Sequence, residues 1–312
     1  MTLRPHAHGD VELLRVPNLC TTLCLILLII GCPALNAETP YRVSPPSKRI
    51  VADFHLSPFY KKSVNVMGFP IVGSEKVSDY ALKEAGYIVS QMLAGRNDIR
   101  NALIKNRIRL AIMAYNELTT MIPEHSDLTP AKYWDKRARG LGATSERPAV
   151  SASEENLLEF KGDPYKGENI LIHEFAHAIH LMGLNTVVLN FQSKLEKTYQ
   201  SALQKGLWKG TYAATNVSEY WAEGVQSYFD CNQSPNHDHN GVNTREKLAQ
   251  YDPDFAELIA SVFPNKVWRY ERPKLRKEES HLKGYEASES PRFRWDPELV
   301  AWYKEYIKTH KE

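Results

Sequence analysis

Cysteine is scarce in this chain of 312 residues, which contains only four. Three of them, Cys20, Cys24 and Cys32, lie in an apolar segment near the N-terminus, and Cys231 stands alone in the remainder. A disulfide within that remainder is therefore excluded, and its stability must come from a packed core and any bound metal. We expect Cys231 to be a small buried hydrophobic residue; zinc ligation and a reactive thiol are the alternatives.

The chain also lacks a strong net charge, because 39 lysines and arginines are balanced by 37 aspartates and glutamates. Nucleic acids and anionic membrane surfaces attract proteins through clustered positive charge, so neither is expected as a partner. The sequence shows no internal repeat. The glycines of Gly140-Leu141-Gly142 lack the strand-to-helix context and the third glycine of a dinucleotide-binding loop, which excludes that interpretation.

The N-terminal segment is the only long apolar run. Residues 19–35 carry no charge and follow a region with basic residues, a pattern typical of a secretory signal peptide. We predict a signal peptide over residues 1–37. Two alternatives remain: a lipoprotein leader that ends before Cys32, and an uncleaved anchor, although 17 apolar residues are marginal for crossing a bilayer. All three predict a secreted, periplasmic or cell-surface protein that contacts a membrane only through its lipid or signal anchor.

The most informative pattern is His173-Glu174-Phe175-Ala176-His177, an H-E-x-x-H pentad within an apolar segment. Two histidines four residues apart on a helix lie on one face, so both can bind one metal ion. The glutamate between them projects toward the open metal position, where a water needs a base. The alternative is a buried helix whose histidines bind backbone or carboxylate groups.

A catalytic zinc needs a third protein ligand and one open position. His180 lies about 10.5 Å along the helix axis from His173, too far to bind the same ion, so we predict a supporting or packing role for it. Glu219 and Glu223 lie one helical turn apart among apolar residues, where two carboxylates are expensive to bury without partners. We predict Glu219 as the third ligand and Glu223 as the acceptor of a hydrogen bond from a ligand histidine. An exposed acidic helix face is the alternative.

These stretches resemble the gluzincin metallopeptidases, in particular the catalytic domain of anthrax lethal factor and the related Pro-Pro endopeptidases. That family has an HEFGHA-type helix and a tyrosine seven residues before the ligand glutamate; His173–Ala178 and Tyr212–Glu223 match this pattern. His180, where the family often has an acid, and Trp221, in place of phenylalanine, depart from it. The resemblance implies these roles: zinc ligands His173, His177 and Glu219, base Glu174, transition-state donor Tyr212, and Glu223 as an acid that supports a ligand.

Helical periodicity dominates the chain beyond the leader. The predicted helices cover residues 77–94, 98–105, 167–183, 186–205, 216–230 and 297–308. Residues 107–115 read as a buried strand. Residues 149–158 are a candidate edge strand that can pair with an extended peptide, and a plain loop is the alternative.

The predicted fold class is therefore α+β, and the resemblance adds a zincin-like metallopeptidase domain, helix-rich with a small mixed sheet. Residues 38–55 are polar and contain prolines, which predicts an extended lead-in. We expect a single catalytic domain over residues 56–312, with the highly charged residues 271–295 as a solvated loop. Residues 38–70 can also act as a propeptide over the cleft, but they contain no cysteine to serve as a switch ligand.

The predicted function is an exported zinc-dependent endopeptidase that holds one zinc ion per chain and acts on a protein or peptide. Two alternatives remain open. One is a zinc amidase that hydrolyses a non-protein amide such as cell-wall material. The other is a secreted binding protein that keeps the zincin fold without catalysis, although such a protein needs neither the base Glu174 nor the donor Tyr212.

Overall fold

The computed structural model describes residues 41–276 and 280–310, and these residues form a helix-rich α+β architecture around one four-stranded mixed sheet. The predicted fold class is thus confirmed at the level of α+β. The strands are β1 (Lys62–Val66), β2 (Phe69–Gly73), β3 (Arg109–Met113) and β4 (Ala149–Ser153). The helices are α1 (Lys48–Phe54), α2 (Asp79–Met92), α3 (Asn97–Lys105), α4 (Ala131–Arg137), α5 (Glu154–Leu157), α6 (Ile170–Ala178), α7 (Asn185–Val187), α8 (Phe191–Gln204), α9 (Val217–Tyr228), α10 (Arg245–Tyr251), α11 (Pro253–Val262) and α12 (Pro297–Thr309).

The sheet has the order β1-β2-β3-β4, in which β1 and β2 are antiparallel and the two other pairs are parallel. All residues of β2, β3 and β4 are buried. Parallel strands covered on both faces read as continuous hydrophobic runs, which is why residues 107–115 could be recognised from the sequence.

Residues 149–158 were predicted to be an edge strand free to pair with a peptide, but the observed strand is shorter and buried. β4 does lie at the edge of the sheet, but it ends at Ser153, where α5 begins. Leu141 occupies its outer side: the Ser151 N–H donates to the Leu141 carbonyl at 2.8 Å, and the Leu141 N–H donates to Ser151. The segment around Leu141, rather than β4, therefore borders the neighbouring cleft.

The helix that carries the pentad begins at Ile170, three residues later than predicted, and it does not end at Gly183. The Asn169 side chain caps α6 by accepting from the Ile172 N–H at 3.0 Å. After Ala178 the chain continues as a wider π-helical turn, Ile179–Leu184. A Cβ on Gly183 would lie 2.8 Å from Ile99 Cγ2, so this glycine allows close packing against α3 and does not terminate the helix.

Helix α9 packs against α6, α8 and α11, and two contacts fix its position. The Trp221 indole N–H donates to the Ala176 carbonyl of α6 at 2.9 Å. On the other side, Tyr220 stacks on Phe255 of α11 with ring centroids 3.7 Å apart, and Gly224 leaves room for the same ring. These contacts aim one face of α9 at the histidines of α6.

Two predictions about loops are corrected by the structure. Residues 38–55 contain α1, which the Ser47 side chain caps, so the described part of this lead-in is not extended throughout. The charged residues 271–295 are not a solvated loop over their whole length: Arg276 and His281 are buried in an ion cluster with Glu84 of α2. Burying these charges is favourable only because they pair with each other.

None of the helices in residues 41–276 and 280–310 is long and apolar enough to cross a membrane. The predicted signal peptide, residues 1–37, and its alternatives at Cys32 and residues 19–35 lie outside the described residues. The division into leader, lead-in and one catalytic domain stays a prediction.

Candidate metal centre

Helices α6 and α9 bring together the three side chains predicted as metal ligands. His177 Nε2 lies 3.2 Å from His173 Nε2 and 3.4 Å from Glu219 Oε2, and the third side of the triangle, His173 Nε2 to Glu219 Oε2, measures 3.2 Å. Within the described ranges, this is the one group of at least three His, Cys, Asp or Glu side chains that the structure places close enough to hold a metal ion. All three side chains are largely buried.

The triangle has the dimensions of a metal site. Four ligands at about 2.0–2.1 Å from a tetrahedral zinc ion lie about 3.3 Å from one another, close to the three observed separations. Two imidazole nitrogens and a carboxylate oxygen converge at these distances, and their lone pairs repel unless a cation lies between them. The chemistry and geometry of the three donors therefore fit a metal ion.

A hydrogen-bond chain sets the protonation of His173. The Gln226 Nε2 amide donates to the Asn169 carbonyl at 3.1 Å, so its Oε1 faces His173 Nδ1, 2.8 Å away. His173 therefore donates from Nδ1, so its Nε2, which faces the other two donor atoms, is the nitrogen available to a metal ion. Such an acceptor on the outer nitrogen fixes the orientation and raises the basicity of a ligand histidine.

The electrostatics of the site favour a positive charge. Burial alone lowers the pKa of His173, but the hydrogen bond with Glu219 and the charges of Glu174 and Glu223 outweigh it and raise that pKa to about 10. Burial would likewise raise the pKa of Glu219, yet its hydrogen bonds with His173 and His177 hold that pKa far below the usual range. A carboxylate ionised in this way is the form that binds a metal.

Glu174, the predicted base, lies beside the ligands in the same cleft. Burial raises the pKa of its carboxyl, and positive charge on His173 and His177 acts in the opposite direction. The segment around Leu141 passes close by: a Cβ on Gly140 would lie 3.1 Å from Glu174 Cγ, and one on Gly142 would lie 3.0 Å from His177 Cβ. These two glycines, which suggested a nucleotide loop only superficially, let the backbone approach the pentad.

Tyr212, the predicted oxyanion donor, faces the ligands from a short 3-10 turn just before α9, with its ring centroid 6.4 Å from that of His173. Burial and the charge of Glu219 raise the pKa of its phenol to about 12, while a hydrogen bond with Arg137 opposes them. The phenol therefore stays protonated at neutral pH and can donate a hydrogen bond. Arg137, at the end of α4, was not identified from the sequence.

Glu223 was predicted to accept a hydrogen bond from a ligand histidine, but Gln226 takes that position. Glu223 Oε1 lies 3.6 Å from His173 Nδ1, beyond a good hydrogen bond, whereas Gln226 Oε1 lies at 2.8 Å. Both residues lie on the face of α9 that meets α6, three positions apart. Glu223 instead accepts from Asn232 Nδ2 at 3.0 Å and contacts His239 at 3.4 Å. Its pKa is lowered, because the hydrogen bond with His239 and the charge of His173 outweigh burial.

The structure places His180 and Cys231 away from the three donors. His180 is buried between the rings of Phe191 and Trp221, and its Nε2 lies 2.7 Å from Gln192 Oε1. His180 therefore packs among aromatic side chains, as one of the two predicted roles requires. Cys231 is buried as well, and burial raises the pKa of its thiol far above the usual value, so it is a poor nucleophile.

Of the site residues predicted from the sequence, all except His180 border one open cleft of about 1040 Å³. Fold and site together define an α+β protein in which a His-His-Glu group able to hold a metal, a half-buried glutamate and a tyrosine share one cleft. No known family model matches the chain, and no curated protein resembles it in sequence. Among solved structures, the Pro-Pro endopeptidase PPEP-2 from Paenibacillus alvei matches with 17% identity and a TM-score of 0.38, covering 64% of this chain and 98% of that one. A TM-score of this size does not establish a shared fold.

Proposed function

We propose that this protein is an exported zinc-dependent endopeptidase of the gluzincin type. The observation that supports this most is the donor triangle of His173, His177 and Glu219, which shares one cleft with Glu174 and Tyr212. A purely structural metal site is closed by four protein ligands, whereas three protein ligands leave a position for water or substrate. A base and a hydrogen-bond donor beside that position are what hydrolysis requires.

His173, His177 and Glu219 would hold the zinc ion. When bound, zinc acts as a Lewis acid that lowers the pKa of water toward neutrality and polarises a substrate carbonyl. The residues of the chain supply the remaining functions. Glu174 takes the proton of the attacking water and passes it to the leaving amine, a role for which a pKa raised above that of a free glutamate is favourable.

Tyr212 donates a hydrogen bond from its phenol to the oxygen of the substrate carbonyl, which becomes negatively charged as water attacks the carbonyl carbon. Its phenol is held in the protonated form by burial and by Glu219. The guanidinium of Arg137 interacts electrostatically with the same phenol and lines the same cleft. Gln226 keeps His173 in the tautomer whose Nε2 binds metal.

A protein or peptide is the proposed substrate, because a large solvent-open cleft of about 1040 Å³ lies beside the three donors, Glu174 and Tyr212. Export is proposed from the apolar, uncharged residues 19–35 and their basic flank. Mass spectrometry of the protein recovered from its native compartment tests this: an N-terminus at Glu38, or a lipid on Cys32, supports export. An intact Met1 in protein recovered from the cytosol contradicts it.

The decisive experiment compares wild type with the variants Glu174→Gln, His177→Ala and Glu219→Ala. We expect one zinc per chain in wild type and in Glu174→Gln, and a loss or strong weakening of zinc binding in the other two. Hydrolysis of an unbiased peptide library should fall at least about 1000-fold in Glu174→Gln, because the base is lost while the metal stays. Full activity of that variant contradicts the mechanism, and cleavage of cell-wall amides without peptide cleavage would favour an amidase.

A further inference from the structure

The loop Asn236–Asn240, with the sequence N-H-D-H-N, joins two parts of the metal centre and is used by none of the roles above. Its backbone holds Tyr212, because the Tyr212 N–H donates to the Asp238 carbonyl at 2.8 Å. Its next residue, His239, turns its ring toward α9 and lines the same cleft. One short loop thus contacts the oxyanion donor through its backbone and the opposite side of the site through a side chain.

The His239 ring is held between two acceptors. Its Nδ1 lies 2.9 Å from Asn236 Oδ1, an oxygen that also accepts from the backbone N–H groups of Asp238 and His239 itself. Its Nε2 lies 3.4 Å from Glu223 Oε2. Both neighbours are acceptors, and although burial lowers the pKa of His239, Glu223 raises it overall, so this arrangement favours the protonated, positively charged ring.

A positive charge on His239 would add to the balance of the carboxylates near His173. Glu168 and Glu223 lie around His173, and Glu219 occupies its metal-facing side, so three carboxylates surround one imidazole. Glu223 is 3% exposed, and burying an unpaired carboxylate is expensive. Asn232 donates to Glu223 but brings no charge, whereas His239 supplies one.

We propose that His239 is a positioning residue for the metal site: it anchors Glu223 beside His173 and, through its loop, holds Tyr212 toward the cleft. This inference rests on the proposed function, but it concerns zinc affinity as well as hydrolysis. Without His239, Glu223 would be free to swing toward His173 Nδ1 and compete with Gln226 for that hydrogen bond. The ligand histidine would then lose its fixed orientation.

The chain offers a closely matched control in His237. This residue has the same type and lies two positions away in the same loop, but its side chain is 86% exposed and pairs only with Asp238. The experiment measures zinc affinity by chelator competition, and kcat and KM on a peptide substrate, for wild type and the variants His239→Ala, His239→Gln and His237→Ala. Thermal unfolding of the zinc-free proteins checks that each variant folds.

We expect His239→Ala to bind zinc more weakly than wild type by at most about 10–100-fold, the range typical when a direct partner of a metal ligand is removed, because His239 acts on His173 only through Glu223. At saturating zinc its kcat should fall while KM stays near the wild-type value, because Tyr212 acts after substrate binding. His239→Gln should recover part of both losses, since its amide can donate to Glu223. His237→Ala should behave as wild type.

A double variant separates positioning from a general loss of structure. In the Glu223→Gln background, His239→Ala should add little further loss of zinc affinity, because the contact is already broken. Equal zinc affinity and equal kcat in wild type and His239→Ala would overturn the inference. The proposed function can fail independently of this inference. If wild type binds zinc but cleaves no peptide, the endopeptidase proposal is wrong, and the comparison of zinc affinities still decides the role of His239.

Discussion

His125 shows how a single buried side chain can control stability in acid. It is 1% exposed, its Nε2 lies 3.1 Å from Ser151 Oγ of β4, and burial lowers its pKa to about 4. The unfolded chain binds this proton at a pKa near 6.5. The neutral ring therefore stabilises the folded protein fully above pH 6.5, and that contribution is lost as the pH falls from 6.5 toward 4.

We predict that His125→Gln weakens this acid sensitivity. Glutamine can keep a hydrogen bond to Ser151 but does not titrate. The free energy of unfolding, measured by chemical denaturation, should decrease from pH 7.5 to pH 4.5 in both proteins. We expect this decrease to be about 2–3 kcal/mol smaller in His125→Gln than in wild type. The exposed His237 serves as control, because His237→Gln should leave the decrease unchanged. Identical pH dependence of wild type and His125→Gln would contradict the prediction.

The choice between Glu223 and Gln226 shows a limit of sequence reasoning at the residue scale. A carboxylate is the expected partner of a ligand histidine, and both residues lie on the face of α9 that meets α6. Which of them reaches Nδ1 depends on a shift of less than one helical turn between α6 and α9. Residue types and spacing predict the three donors, since these need only the periodicity of two helices, but they do not determine that shift.

At the scale of the elements, the contact between α6 and α9 depends on Trp221. Its indole N–H donates to the Ala176 carbonyl, next to His177. The π-helical turn begins two residues after His177, at Ile179. Trp221 therefore supplies a hydrogen bond near the end of the regular helix.

We predict that Trp221→Phe destabilises the protein by about 2–4 kcal/mol, from a buried carbonyl left without this donor and from the cavity left by the smaller ring. Zinc affinity should fall as well, because His177 follows directly after Ala176. The measurement is chemical denaturation together with chelator competition. Trp302→Phe, on the half-buried face of α12, is the control and should change the free energy of unfolding by less than about 1 kcal/mol.

Some helix starts were predictable because they carry a local side-chain cap, which α3, α4 and α8 lack. The side chains of Ser78, Asn169, Asp252 and Asp296 accept from backbone N–H groups of α2, α6, α11 and α12, and each precedes a periodic apolar segment. The continuation past Gly183 was not predictable in this way. It depends on α3 packing against that glycine, a contact between segments about 80 residues apart.

At the scale of the whole molecule, the cluster of Glu84, Arg276 and His281 ties the charged segment near the C-terminus to α2. Arg276 Nη2 donates to Glu84 Oε1 at 2.7 Å, and His281 Nε2 lies 2.6 Å from Glu84 Oε2. All three side chains are nearly inaccessible to water. The composition of residues 271–295 predicted exposure, because charges on distant segments that neutralise each other cannot be recognised without the fold.

We predict that Glu84→Gln costs about 3–5 kcal/mol of unfolding free energy, because the buried Arg276 guanidinium loses its carboxylate partner and His281 loses its hydrogen bond with Glu84. Limited proteolysis should then cut the segment around residues 270–290 faster than in wild type. Asp79→Asn provides the control on the same helix, since the Asp79–Lys62 pair is exposed and contributes at most about 1 kcal/mol. Equal stability of Glu84→Gln and wild type would show that the cluster does not stabilise the attachment of the charged segment to α2.

The π-helical turn at Ile179–Leu184 has a consequence for changes in chain length. Each hydrogen bond there spans five residues, so the turn contains one residue more than an α-helical turn in the same place. Deleting one residue inside a regular helix rotates everything beyond it by about 100°. Deletion at the exposed Leu181 would instead convert the wide turn into ordinary helix. His173 and His177 would stay in register with Glu219, so related chains are expected to differ by single-residue insertions here before they differ anywhere else in this helix.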